Sequence, residues 1–256
     1  MRRSGTIGVL IPQRLSTLFA DPFLSELMPG LGELCEKRDL TMLLVPRLDG
    51  SLESAIRQAS VDGFISLGLS PDDRALEMLD RISIPMVSVD SESSPNRPAV
   101  NVDDEGGAPA ASQHLLDLEH RDVAIIVLPP TRAHIGLTPT APGGRAFEGL
   151  PRGKRRPTGV LAISDMVAIG LMAAAQSEGL KVPDDLSVVG YDDLPMAAWT
   201  NPPLTTVRQP IIEKGRLAAR LLIQRMKGKA VESPPPLGTI LVVRGSTAPP
   251  FGGSRR

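Results

Sequence analysis

The six residues between Pro203 and Pro210, Leu204-Thr205-Thr206-Val207-Arg208-Gln209, restrict the fold more than any other stretch. Proline lacks an N–H donor and disfavours α geometry in the residue before it, so this segment must run extended. It follows closely on Ser187-Val188-Val189-Gly190-Tyr191, an apolar run of strand length that ends in the acid pair Asp192-Asp193. A buried strand, two carboxylates at its C-terminal end and a second extended segment therefore succeed one another. Open α/β proteins bind small molecules outside the carboxyl ends of their strands, so a ligand is sought first beside these acids.

The rest of the chain alternates short apolar runs with longer amphipathic ones. Strands are predicted at Thr6 to Ile11, Thr41 to Val45, Gly63 to Leu67, Met86 to Val89 and Val100 to Val102. Between them lie helices from Pro22 to Arg38, with Asp21 as N-cap and proline in the first turn, and from Leu52 to Ser60. A third starts in Ser70-Pro71-Asp72-Asp73, with the serine as cap. The pattern then begins again. Helices are predicted from Gly106 to Leu118, Met166 to Glu178 and Ile211 to Lys227, and strands at Val123 to Leu128, Gly159 to Ile163, Ser187 to Tyr191 and Leu237 to Val243. Repeated βαβ units imply parallel sheets with helices on both faces. Two successive sets suggest two similar lobes.

One connection does not fit. From Leu128 to Gly159 the chain is rich in Pro, Gly, Thr and Arg, and only about two turns near Arg145 to Leu150 can be helical. A crossover between parallel strands normally carries a proper helix. Either this connection is irregular or the sequence lacks part of the natural chain here; the second reading is preferred.

Composition narrows the function classes. The 256 residues are 41% hydrophobic and 22% charged, with 28 basic and 29 acidic side chains. A net charge of −1 argues against a free-standing nucleic-acid binder. The clusters Arg2-Arg3, Lys154-Arg155-Arg156 and Arg255-Arg256 read as solvated ends and a loop. Cys35, the single cysteine, reads as a small buried hydrophobe, and no disulfide within the chain is possible. No run reaches the ~18 apolar residues of a membrane span, and no signal-peptide core is evident, so the expected compartment is the cytoplasm. His114, His120 and His134 are not spaced as metal ligands and are read as structural. Gly30-Leu31-Gly32 is a broken dinucleotide signature inside a helix, and no phosphate loop or nucleophile elbow occurs. No metal, cofactor or enzymatic activity is expected.

At this point the motifs match a known family. Thr6-Ile7-Gly8-Val9-Leu10-Ile11-Pro12, Val61-Asp62-Gly63-Phe64-Ile65 and Ile84-Pro85-Met86-Val87-Ser88-Val89-Asp90 are followed by Val102-Asp103-Asp104-Glu105-Gly106 and Ser164-Asp165-Met166-Val167-Ala168. Then come Gly190-Tyr191-Asp192-Asp193, Leu204 to Pro210, and Leu241-Val242-Val243-Arg244-Gly245-Ser246. In this order they resemble the effector-binding core of LacI/GalR-type transcription regulators, the lac repressor family, from Ser4 to Pro249. The resemblance implies two doubly wound α/β lobes of the type I periplasmic-binding-protein kind, with crossings near Asp103, Thr206 and Lys229. One lobe would hold 4–103 and 207–229, the other 104–206 and 230–249. It further implies a homodimer that binds a small effector in the cleft between the lobes. A sugar is the first expectation, and a nucleoside or purine the second. Operator DNA would be bound through an upstream helix-turn-helix, which no residues before Ser4 provide. A stand-alone solute-binding protein for transport is the alternative reading.

Carried over residue by residue, the family's effector contacts fall on Asp192, Asp90, Asp103, Ser164, Arg145, Phe23 and Ile211. Asp192 leads, because a carboxylate accepts two hydrogen bonds from ring hydroxyls or N–H groups. Asp193 is read instead as the cap of a short helix. Ser164 stands where relatives often have asparagine and keeps a donor and an acceptor with shorter reach. Phe23 is also readable as core, and Arg145 adjoins the irregular connection. Glu119 occupies a position where the family usually has glycine, so a different turn is expected before His120.

Overall fold

A computed structural model describes residues 4–13, 18–47, 51–69, 73–82, 84–127, 141–153 and 156–250. Among them the chain divides into two units, 4–102 with 210–237, and 103–127 with 141–209 and 238–250.

The first unit is a parallel sheet in the order β2-β1-β3-β4-β5, formed by β1 (Thr6–Ile11), β2 (Thr41–Pro46), β3 (Gly63–Leu67), β4 (Met86–Val89) and β5 (Ala99–Val100). Strand residues alternate between faces. Leu10, Phe64 and Met86 face one way and pack against α2 (Leu52–Gln58) and α3 (Arg74–Arg81) through Leu52, Ile56, Leu76 and Leu79. α1 (Pro22–Glu36) and α7 (Ile211–Met226) form a closely packed helix pair, and α7 also packs on β3, β4 and β5. These two helices meet at glycines. A Cβ on Gly30 would fall 2.0 Å from the Ile212 carbonyl oxygen, and one on Gly215 would fall 2.5 Å from that of Leu27. The glycine read as a broken nucleotide signature is thus a helix-crossing residue. Beside the crossing, Arg216 donates to both carboxylate oxygens of Glu33 at 2.9 and 2.8 Å.

The second unit is ordered β10-β9-β8-β7-β6, from β6 (Val123–Ile126), β7 (Gly159–Ala162), β8 (Ser187–Asp192), β9 (Thr205–Arg208) and β10 (Ile240–Val242). Its strands are parallel, as expected, with one antiparallel pair at the β9–β10 edge. One face is covered by α5 (Ala141–Glu148) and α6 (Asp165–Ser177), whose Phe147, Val167, Leu171 and Ala175 pack on Val160, Ala162 and Val188. On the other, Ala111 and Leu115 of α4 (Asp104–Asp117) pack on Leu161, Val189 and Val207. α5 has the expected two turns, but it begins four residues before Arg145. Residues 128–140 of the irregular connection, His134 among them, lie outside the described residues.

Several edges differ from the sequence reading. β9 runs to Arg208 in the second sheet, and the Leu237 N–H donates to the Asn101 carbonyl of the first unit. The crossings expected near Thr206 and Lys229 therefore fall after Gln209 and Leu237. The α3 cap is Asp73, which accepts from the Ala75 N–H at 3.0 Å; Ser70 lies outside the described residues. The last strand is three residues long, starting at Ile240 instead of Leu237. Glu119 takes φ +70, the same left-handed geometry that Gly179 takes at φ +82 after α6. The turn before His120 is thus kept, at a strain of about 1 kcal/mol for a residue with a Cβ. Buried His120 holds it by bonding the Thr158 hydroxyl and the Ala248 carbonyl, both at 2.9 Å.

Candidate functional site

In the first unit, polar groups gather just after the C-terminal ends of β1 and β4. The chain leaves β1 through Pro12 and Gln13 and enters α1 at Asp21, whose Oδ1 accepts from the Phe23 N–H at 3.0 Å. Gln13 is buried; its Nε2 donates to Asp21 Oδ2 at 3.2 Å, and its Oε1 has no hydrogen-bond partner among the described residues. At the end of β4, Asp90 sits at φ +50, a strained conformation for a non-glycine residue, with its side chain about one-third exposed. Lys214, fully buried on α7, donates to both Asp90 carboxylate oxygens at 2.7 and 2.8 Å. Its Nζ lies 5.2 Å from the centroid of the Phe23 ring, within cation–π range. Ile211, the first residue of α7, is buried one turn earlier on the same helix. Phe23 and Asp90 are therefore linked through a residue the sequence reading did not single out, one turn from Ile211.

In the second unit the two acids at the end of β8 are divided by their partners. Asp192, buried and at φ +120, accepts from Gln209 Nε2 at 2.6 Å. Asp193 does not cap the following 3-10 turn, Pro195–Ala198, whose N-cap is Leu194 without a side-chain hydrogen bond. It is clamped instead by two guanidinium groups, Arg208 Nε at 2.6 Å and Arg244 Nη2 at 2.5 Å. Both bases come from neighbouring strands or just beyond them, so Asp193 is spent on ion pairing, where the sequence had read a cap.

Ser164 and Asp103 each serve as helix caps. Ser164 Oγ accepts from the Val167 N–H at 3.3 Å at the start of α6, and Asp103 Oδ1 accepts from the Gly106 N–H at 2.9 Å at the start of α4. α4 consequently starts at Asp104, two residues before the sequence reading. Asp104 accepts from the Tyr191 hydroxyl at 2.6 Å, and burial together with this bond holds the phenol protonated. Arg145, on α5, is exposed, and its side chain makes no hydrogen bond or ion pair among the described residues.

Asp165, beside Ser164, has no exposed surface. Thr206 Oγ1 donates to its Oδ1 at 2.5 Å and the Leu194 N–H to its Oδ2 at 2.7 Å. Burial pushes its carboxyl up to about 7, against the lowering effect of those two bonds. Gly190 makes room for it, since a Cβ there would lie 2.3 Å from Asp165 Oδ1. Asp165 thus ties the start of α6 to β9 and to the loop after β8. Nothing in its local sequence separates it from a first-turn acid that favours the helix dipole; its role depends on contacts 29 and 41 residues away.

Burial raises the Cys35 thiol and lowers His114 and His120, in keeping with structural roles for all three. Among the described residues no three His, Cys, Asp or Glu side chains converge as metal ligands. Both units carry hydrogen-bond acceptors and donors at strand termini, an arrangement suited to binding a small polar molecule.

A periplasmic binding protein-like domain matches residues 130–247. The HTH-type transcriptional repressor PurR of Vibrio campbellii is 31% identical over 261 residues, spanning 89% of this chain and 76% of the repressor. Among solved structures, a transcriptional regulator CelR–cellobiose complex superposes with a TM-score of 0.84 at 28% identity, covering 96% of this chain and 85% of that one. A LacI family transcriptional regulator from Enterococcus faecium with bound ribose gives 0.80 at 29% identity, over 95% and 99% of the two chains. The fold is therefore that of a periplasmic-binding-protein-like effector domain. The chain belongs to the LacI-type family of transcriptional regulators, whose effector-binding core it forms. These relatives are transcriptional regulators rather than enzymes, one of them a repressor, and they do not favour the reading as a transport protein.

Proposed function

We propose that this chain senses a small neutral sugar on behalf of a transcriptional repressor, with Asp192 as the main effector-contacting residue. The observation that carries the reading is Asp192 itself. It sits at a C-terminal strand end in a strained backbone conformation, and Gln209 fixes one of its oxygens. A carboxylate held this way is preorganised to accept hydroxyl hydrogen bonds, with little ordering cost left for the ligand to meet. Asp90, Phe23 and Ile211 contribute from the first unit, and Ser164, Asp103 and Arg145 from the second. Related structures hold cellobiose and ribose, which supports sugars ahead of nucleosides or purines.

The regulator acts as a cytoplasmic homodimer and binds operator DNA through a helix-turn-helix domain. Among the described residues no helix is long and apolar enough to cross a membrane. The test is a thermal-shift screen against ribose, glucose, cellobiose and purines, repeated with Asp192→Ala. A sugar should raise Tm in the parent chain, and the variant should lose most of that rise. A variant that keeps the whole shift removes Asp192 from recognition, and a response to purines alone replaces the sugar by a purine.

A further inference from the structure

Lys214 is a buried charge that the effector reading leaves without a task. It has no exposed surface, and its neighbours one turn either way on α7, Ile211 and Ala218, are buried and apolar. A buried ammonium costs several kcal/mol of desolvation, and a well-packed apolar residue of similar size commonly does as well for stability. Packing alone therefore gives no reason for a lysine here. Its ammonium is committed to Asp90, gripping both carboxylate oxygens from within the unit, while its Nζ lies over the Phe23 ring. Asp90 keeps 34% of its side chain open. What the first unit offers at this strand end is thus a carboxylate whose charge is already balanced from behind.

Such a group discriminates by charge. Its remaining lone pairs still accept hydrogen bonds from hydroxyls. A cation gains little from it, because an approaching positive group meets the Lys214 ammonium as well as the carboxylate. With the Lys214 ammonium removed, the same carboxylate would be a better partner for an ammonium, through the stronger charge-assisted hydrogen bond. We propose that Lys214 is a specificity-determining residue that makes Asp90 favour neutral polyhydroxylated effectors over cationic ones such as amino sugars. The inference rests on the reading of Asp90 as an effector contact.

The test compares the parent chain with Lys214→Met and Lys214→Arg. Each is titrated with ribose, glucose and cellobiose and with 2-amino-2-deoxyglucose, at neutral pH and fixed salt. Ligand-induced Tm shift and Kd are the readouts. The parent chain and Lys214→Arg should rank the neutral sugars above the amino sugar. Lys214→Met should gain about tenfold in relative preference for the amino sugar, and adding Asp90→Asn to it should cancel the gain. A loss of packing alone would weaken all ligands together without changing their order. Should Lys214→Met fail to fold, Lys214→Gln carries the same comparison with a polar end and no charge. An unchanged ranking, including one in which neither protein responds to any sugar, overturns the inference. A parent chain deaf to every neutral sugar, with a variant that binds the amino sugar, sustains the role of Lys214 and sinks the neutral-sugar reading.

Discussion

Asp165 shows how a single residue can stitch a unit together at a cost that depends on pH. Its carboxyl is pushed up to about 7 by burial, from an ordinary value of 3.8. The folded state therefore binds its proton more tightly than the unfolded state does. The corresponding stability is fully present below about pH 4 and is lost as the pH rises through about 7. Asp165→Asn has no proton to lose, and its amide still offers an acceptor for the Leu194 N–H and a donor for Thr206. Denaturant unfolding at pH 5 and pH 8 should show the parent chain losing a few kcal/mol more than the variant between the two. Equal losses would mean that Asp165 ionises without penalty. The sequence reading reached the neighbours of this residue and passed over it. Ser164, Asp192 and Asp193 were legible because they stand in motif positions. Whether an acid caps, pairs or lies buried is decided by partners such as Arg208, Arg244, Leu194 and Thr206, which no local pattern names.

At the scale of elements, the pair α1 and α7 carries the sharpest prediction. Gly30 and Gly215 let two backbones approach where any Cβ would strike a carbonyl or a neighbouring main chain. Gly30→Ala should destabilise the chain by about 2 kcal/mol or more through overpacking. Gly32→Ala, two residues along α1, meets nothing within 4 Å and should be neutral or slightly stabilising, since alanine is the better helix former. Chemical denaturation of the two variants checks the contrast, and equal effects would mean the helices can separate at no cost. Helix α1 itself was legible from Asp21, Pro22 and its apolar spacing. Which of its glycines mattered was not, because the surface that Gly30 touches lies about 180 residues further on. The strands behave similarly. Their positions followed from apolar runs, whereas the antiparallel entry of β10 beside β9 depends on how the last segment returns to the sheet.

At the scale of the whole molecule, the chain passes from one unit to the other near residues 102, 209 and 237, among the described residues. The segment around Gln209 carries groups bound on either side of such a passage. Gln209 holds Asp192 in the second unit, and five residues later Lys214 holds Asp90 in the first. In a regulator that joins this chain to its DNA-binding domain, coupling between effector and operator must be reciprocal. Saturating operator DNA should change effector Kd by about 5- to 150-fold, the usual range of such coupling. Identical titrations with and without operator would leave the chain a binding module with no part in control of DNA binding.

By itself, the sequence determined the alternation of strands and helices, the extended passage from Leu204 to Gln209 and the motif acids at the strand ends. Each follows from forces acting within a few residues: proline geometry, apolar period and helix capping. Only the tertiary structure decided that Lys214 compensates Asp90, that Asp193 is clamped by two arginines and that Asp165 is buried against β9. Those outcomes depend on charges and hydroxyls brought together from 15 to 124 residues apart. A buried charge must find a partner somewhere in the fold, but the local sequence does not say which one it finds.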